Sequence, residues 1–258
     1  MIQNKYRIEL IHILNDLEDY LKSGYRKPRG KISLRDEEQG AGAENTTHKA
    51  VSDAEGKVPR GGLSDAERAK LLAELEDEVR SCEKCRLSQN RKKAVPGQGV
   101  LDPDVLVIGE GPGADEDRQG IPFVGRAGQY LDKWLDAIGL SRKQNVYIAN
   151  IVKCRPPENR DPRPDESDSC LPYLRRQIEL LEPVSILALG RVSAQVLSGR
   201  ETGIGRLRGE TYYYMNIPVI PTYHPSAVLR DQSLRKAVWG DLKRLRKLIA
   251  EIQSQTKV

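Results

Sequence analysis

Four short runs rich in β-branched and aliphatic residues, DVLVIG (104–109), NVYIAN (145–150), VSILALG (184–190) and IPVIPTYH (217–224), alternate with longer stretches of helical apolar spacing. Short apolar runs read as buried strands and a three-to-four-residue period as helix. The order predicts crossing helices at 127–138, 165–181 and 192–197 and a closing helix from about Ser233 to Ile252. Strands and helices in this alternation specify an α/β domain with a central, mostly parallel four-stranded sheet flanked by helices. Upstream, LSDAERAKLLAELEDEV (63–79) begins with Ser64 and, three residues on, Glu67. That is the pattern of a capping box, and the helix it opens runs into Cys82.

The pattern also divides the chain. Residues 1–26 place Leu10, Leu14, Leu17 and Leu21 along one face of an N-terminal amphipathic helix, which either packs on its own domain or docks a protein partner. Apolar residues thin out over 27–62 without any period, as in a flexible linker. Residues 63–258 form the main domain.

Each strand leads into a chemically distinctive group: GEGPG after the first, Asn150 at the end of the second, Gly190-Arg191 after the third, and His224-Pro225-Ser226 after the fourth. Ligands of open α/β sheets bind at the carboxyl ends of the strands, so these groups are expected to share one crevice. GEGPGADEDRQGIPFVG (109–125) lacks the Lys-Ser/Thr ending of a phosphate-binding loop, and its Glu110, Asp115, Glu116 and Asp117 would repel a phosphate. Carboxylates beside a narrow turn suit a different task, orienting water and stabilising positive charge on a sugar as a glycosidic bond breaks.

Phe123, the single phenylalanine, either packs in the core or stacks on a planar ligand. Asn150 offers a donor and an acceptor side by side, matching a pyrimidine's carbonyl and imino N–H, although a strand-terminal Asn also serves turns. His224 either caps its loop or donates to negative charge on a departing base.

Cys82 and Cys85 form a C-x-x-C pair, and Cys154 and Cys170 complete the chain's four cysteines. No secretory pattern and no apolar run of about 18 residues is present, so a cytoplasmic compartment, reduced thiols and no membrane are expected. A single four-thiolate site leads over buried apolar cysteines or a redox pair, and spacing leaves zinc and iron-sulfur both open. The net charge of +5 is too modest to establish a nucleic-acid partner.

Taken together, GEGPGADEDRQGIPFVGRAG, NIVKCRPPENR and HPSAVLR resemble the three signature segments of the family 4 uracil-DNA glycosylases, with the four cysteines in that family's arrangement. The resemblance covers roughly Leu75 to Ile249. It implies a three-layer α/β/α sandwich that removes uracil from DNA, and a [4Fe-4S] cluster ligated by Cys82, Cys85, Cys154 and Cys170. Phe123 would stack on the everted uracil, Asn150 would read its polar edge, and His224 would stabilise the leaving uracil anion. Glu110 and Glu116 fall at the acidic positions thought to place water or shape the pocket. Gly111 would line the substrate site where the superfamily's better-known members carry an aspartate.

An everted base leaves a gap in the stack that an apolar wedge can fill. Leu229 is the candidate wedge, with Arg230 on the neighbouring phosphate and Ser226 on the same DNA-facing segment. Arg155, Arg160, Arg163, Arg191, Arg206 and Arg208 lie in or near loops that would face the same edge. A monomer acting on uracil-containing DNA is expected. The rivals are a non-catalytic binder of uracil or abasic sites, a zinc-ribbon scaffold, and a relative that traps the abasic sugar through a histidine. The loop RPPENRDPRPDES contains no such histidine.

Overall fold

The structure, a computed structural model, describes residues 63–256, so the helix and linker expected over 1–26 and 27–62 lie outside the described residues. Helix α1 (Asp65–Ser81) opens on the expected capping box: Glu67 N–H donates to Ser64 Oγ (3.3 Å) and Ser64 N–H donates to Glu67 Oε2 (2.8 Å). Two helix-end donors are thereby satisfied reciprocally.

Six strands form one sheet: β1 (Gln98–Gly99), β2 (Val105–Gly109), β3 (Val146–Asn150), β4 (Ser185–Leu189), β5 (Tyr212–Tyr214) and β6 (Ile217–Thr222), in the spatial order β1-β3-β2-β4-β6-β5. The four expected strands are the parallel centre, and β1 and β5 are antiparallel edges. Two- and three-residue strands are too short to show a period, which is why the sequence pattern passes over them.

Side chains alternate across the pleat, and both faces are buried. Leu106, Ile108, Ile186 and Ala188 face one core, shared with α1 and with helix α4 (Pro164–Leu181) through Leu75, Leu174 and Ile178. Val105, Val107, Leu187 and Leu189 face the other, where helices α3 (Arg126–Asp136) and α8 (Arg235–Thr256) contribute Leu131, Trp134, Leu242 and Leu245. These two cores make the α/β/α sandwich. Short helices α2 (Ala114–Gln119), α5 (Arg191–Ser198), α6 (Ile204–Leu207) and α7 (Pro225–Arg230) fill the connections. Among the described residues no helix is long and apolar enough to cross a membrane.

Candidate active site

The parallel registers bring the strand ends level: Gly109 pairs with Asn150, and Leu189 with Thr222. The residues just past those ends therefore border one cavity of about 580 Å³, lined among others by Glu110, Gly111, Phe123, Asn150, His224 and Arg230. That volume lies within the ~300–1,000 Å³ of small-molecule sites.

Two of these groups are fitted to each other through a glycine. A Cβ on Gly109 would strike Asn150 Oδ1 and would sit 2.7 Å from Phe123 Cζ. Asn150 is only 1 % exposed, and its Oδ1 has no hydrogen-bond partner. A buried amide oxygen left unpaired costs about 1–3 kcal/mol, so the site holds an acceptor that a ligand donor can satisfy. Gly109→Ala is expected to push the amide and the ring apart. A misplacement on the order of 1 Å costs about 10²-fold in rate, measurable as a lower single-turnover rate with ligand affinity little changed.

Phe123 sits on a strained, left-handed backbone (φ 53°), a conformation that non-glycine residues rarely adopt. Three contacts hold it there. Glu116 Oε1 accepts from the Val124 N–H (2.9 Å) and the Gly125 N–H (3.0 Å). Arg142 donates to the carbonyls of Pro122 and Phe123, each at 2.7 Å, and is itself held by Asp132 at 2.6 Å. At Gly128, in the first turn of α3, any side chain would collide with the Phe123 carbonyl. The Phe123 ring lies 5.6 Å from that of His224, at 37° between planes.

Glu110, by contrast, makes no side-chain hydrogen bond among the described residues, and its carboxyl is pushed up to about 7. Burial is the main cause and the nearby Asp161 adds to it, while Arg191 opposes. Arg191 and Asp161 pair with each other at the cavity edge.

His224 is half-buried, and its ring is driven down to about 4, chiefly by desolvation and then by Arg230, with Glu116 opposing. The imidazole is neutral at physiological pH. Its Nδ1 accepts from the Ser226 N–H (3.2 Å) and lies 2.7 Å from Ser226 Oγ. The ring proton therefore resides on Nε2. Ser226 thus supports the histidine from the first turn of α7 as well as lining the cavity.

Of the DNA-facing candidates, Leu229 is 37 % exposed on α7 and Arg230 borders the cavity. Arg160 also borders it, but its guanidinium is committed to Glu166 by two hydrogen bonds of 2.8 and 2.7 Å. Arg208 is engaged with Asp241 and the Ala237 carbonyl. The sequence pattern does not reveal Arg142 or Asp161. Nothing in the spacing around either residue marks it, because each acts through a tertiary neighbour.

The four cysteines line a second, smaller cavity, and none is in a disulfide. Cys82 caps α1, Cys85 opens the turn Arg86–Gln89, Cys154 lies in the loop after β3, and Cys170 projects from α4. Three N–H groups point at sulfur: Arg91 Nη1 at Cys154 (3.1 Å), Lys153 N at Cys170 (3.3 Å) and Lys84 N at Cys82 (3.5 Å). Among the described residues no three His, Cys, Asp or Glu side chains are grouped to hold a single metal ion. The donor set is all thiol, sheltered and supplied with N–H donors to sulfur, and it fits a soft, thiolate-bound iron-sulfur group.

The family model of the uracil DNA glycosylase superfamily matches residues 96–243. The chain is 44 % identical over 186 residues to a type-4 uracil-DNA glycosylase of Sulfurisphaera tokodaii, covering 69 % of this chain and 84 % of that protein. Proteins described in the same words from Archaeoglobus fulgidus and Thermotoga maritima are each 41 % identical over 70 % of this chain, covering 95 % and 96 % of their own lengths.

Proposed function

The chain belongs to the uracil-DNA glycosylase superfamily, and from that premise we propose that it hydrolyses the N-glycosidic bond of deoxyuridine everted from DNA, the opening step of base excision repair. One observation carries the reading: an unpaired carboxylate, an aromatic ring, an orphaned amide oxygen and a neutral imidazole border a single cavity.

In this reading the base leaves the stack, at a cost of about a few kcal/mol, and enters the cavity against the Phe123 ring. Asn150 Oδ1 accepts from the uracil imino N–H while its amide N–H₂ donates to the adjacent carbonyl. As the bond between sugar and base breaks, its electron pair passes to uracil, and His224 Nε2–H donates to the anion. A neutral donor suits this task, because it needs no prior protonation at pH 7.

The carboxylate of Glu110 stabilises the cationic sugar, orients the attacking water and receives its proton. Glu116, with one oxygen occupied by two loop amides, holds the Phe123 loop and leaves the water to Glu110. Gly111 keeps the turn narrow: a Cβ there would meet Val152 Cγ2 at 2.8 Å.

Leu229 enters the vacated stack and Arg230 holds the flanking phosphate. Arg230→Ala is expected to weaken binding to uracil-free DNA and to uracil DNA alike and to lessen the salt dependence of affinity. Titration by fluorescence anisotropy at two salt concentrations checks this, and unchanged affinity at low salt would remove Arg230 from the contacts.

The cysteines Cys82, Cys85, Cys154 and Cys170 hold a [4Fe-4S] cluster. When bound, it supplies a covalent cross-link between the end of α1, the loop after β3 and α4. A brown protein absorbing near roughly 400 nm supports this, and a colourless zinc protein overturns it.

The activity itself is tested with a uracil-containing oligonucleotide followed by alkali, beside a thymine control. Scission at uracil alone is the expected result. Tight binding to uracil DNA with no scission would instead establish the non-catalytic binder.

A further inference from the structure

The wall of the cysteine cavity carries cations and no acid. Lys84, Arg91 and Lys153 line it with the four cysteines, and no Asp or Glu does. Lys153 is the exceptional member, since it is 1 % exposed. Among the described residues its Nζ donates only to neutral acceptors, the Asn150 carbonyl at 2.9 Å and Gln177 Oε1 at 2.6 Å. Gln177 is fully buried and fixed in turn by donating to the Pro96 carbonyl at 2.9 Å.

Arg91 repeats the pattern, donating to Cys154 Sγ (3.1 Å) and to the Arg80 carbonyl (2.9 Å). Among the described residues neither cation has a carboxylate within ion-pair distance. Removing an ammonium from water costs several kcal/mol unless an opposite charge repays it. Lys153 has two neutral acceptors but, among the described residues, no opposite charge beside it.

We propose that Lys153, assisted by Arg91, is the built-in counter-charge of the thiolate-bound cluster; this rests on the cofactor reading above. Four thiolates around a four-iron core leave net negative charge, and net charge and hydrogen bonds to the sulfurs are among the factors that set the potential of such a group; a nearby cation acts on the same balance through its Coulomb field. Lys153 also donates to the carbonyl of Asn150. The same side chain therefore joins the cluster's wall to the strand end that presents the base-reading amide.

The test compares Lys153→Met and Arg91→Gln with wild type in the full-length, loaded protein. Each is scored by the cluster's reduction potential in film voltammetry and by the half-life of its visible absorbance in air. Removing a nearby positive charge makes electron addition harder. Both variants are expected to shift the potential downward, Lys153→Met further, with a several-fold change in cluster lifetime.

A lysine that merely fills space would leave the potential where it is, so potentials matching wild type in both variants overturn the proposal. Should Lys153→Met fail to accumulate loaded protein, Arg91→Gln, on the half-exposed side of the cavity, decides by the same readout. Absence of iron and sulfide from the wild-type protein would defeat the cofactor reading itself. A loaded wild type with unmoved variants defeats only the counter-charge.

Discussion

Glu110→Gln is expected to lower the single-turnover rate of uracil release by about 10²–10⁴-fold, the usual worth of a positioned acid or base, while the affinity for uracil DNA stays close to that of wild type. The amide keeps the shape of the carboxylate and removes its charge and basicity. The wild-type rate should also climb as pH rises through about 7, because the reactive form is the carboxylate and burial holds its ionisation there. The variant's profile should be flat over that interval. A variant within ten-fold of wild type, or a wild-type profile already level at pH 6, would assign the water to another group.

Stability carries the opposite sign. The folded-state value lies above the ordinary 4.5 of an exposed glutamate, so above that range the unfolded chain ionises more readily than the folded one. The stability lost to ionising Glu110 therefore accumulates as pH rises from about 4.5 to about 7 and is level above that. Glu110→Gln should raise the melting temperature at pH 8 and leave it nearly unchanged at pH 4.

His224→Ala is the second large effect, a loss of about 10²–10³-fold, in line with removal of one donor from a charge-stabilising site. Its diagnostic is the leaving group. With 5-fluorouracil, whose anion is more stable, the defect should shrink, because less stabilisation is asked of the protein. A defect equal for both bases would mean that His224 merely packs against Phe123.

The ring is held near 4, so no activity limb from histidine should appear between pH 5 and 8. The folded protein resists protonating it, whereas the unfolded chain takes up that proton around 6.5. Stability should therefore fall as pH drops from about 6.5 toward 4.

Much of the architecture can be read from the chain, for physical reasons. Strands buried on both faces are continuous apolar runs, so β2, β3, β4 and β6 stand out, and Ser64 with Glu67 marks the start of α1. Parallel order then requires the strand exits to share one edge, which is how the amino-acid order by itself groups Glu110, Asn150 and His224. The edge strands β1 and β5 leave no trace because each is two or three residues long.

The division of labour between Glu110 and Glu116 is equally hidden in the sequence. Both are acids in one glycine-rich segment, and only the folded loop shows that Val124 and Gly125 claim one of them. The left-handed Phe123 and its Arg142 clamp are tertiary facts with no local signature.

That clamp bears on how uracils in different surroundings compete. The receptor for the base is finished when the protein folds: two carbonyls are pinned by one guanidinium, two amides by one carboxylate, and a helix turn is pressed against the loop. Little ordering remains to be done on encounter. The rate ranking among lesions is then expected to follow the nucleic acid's own reluctance to open, from single strands through wobble mismatches to uracil paired with adenine.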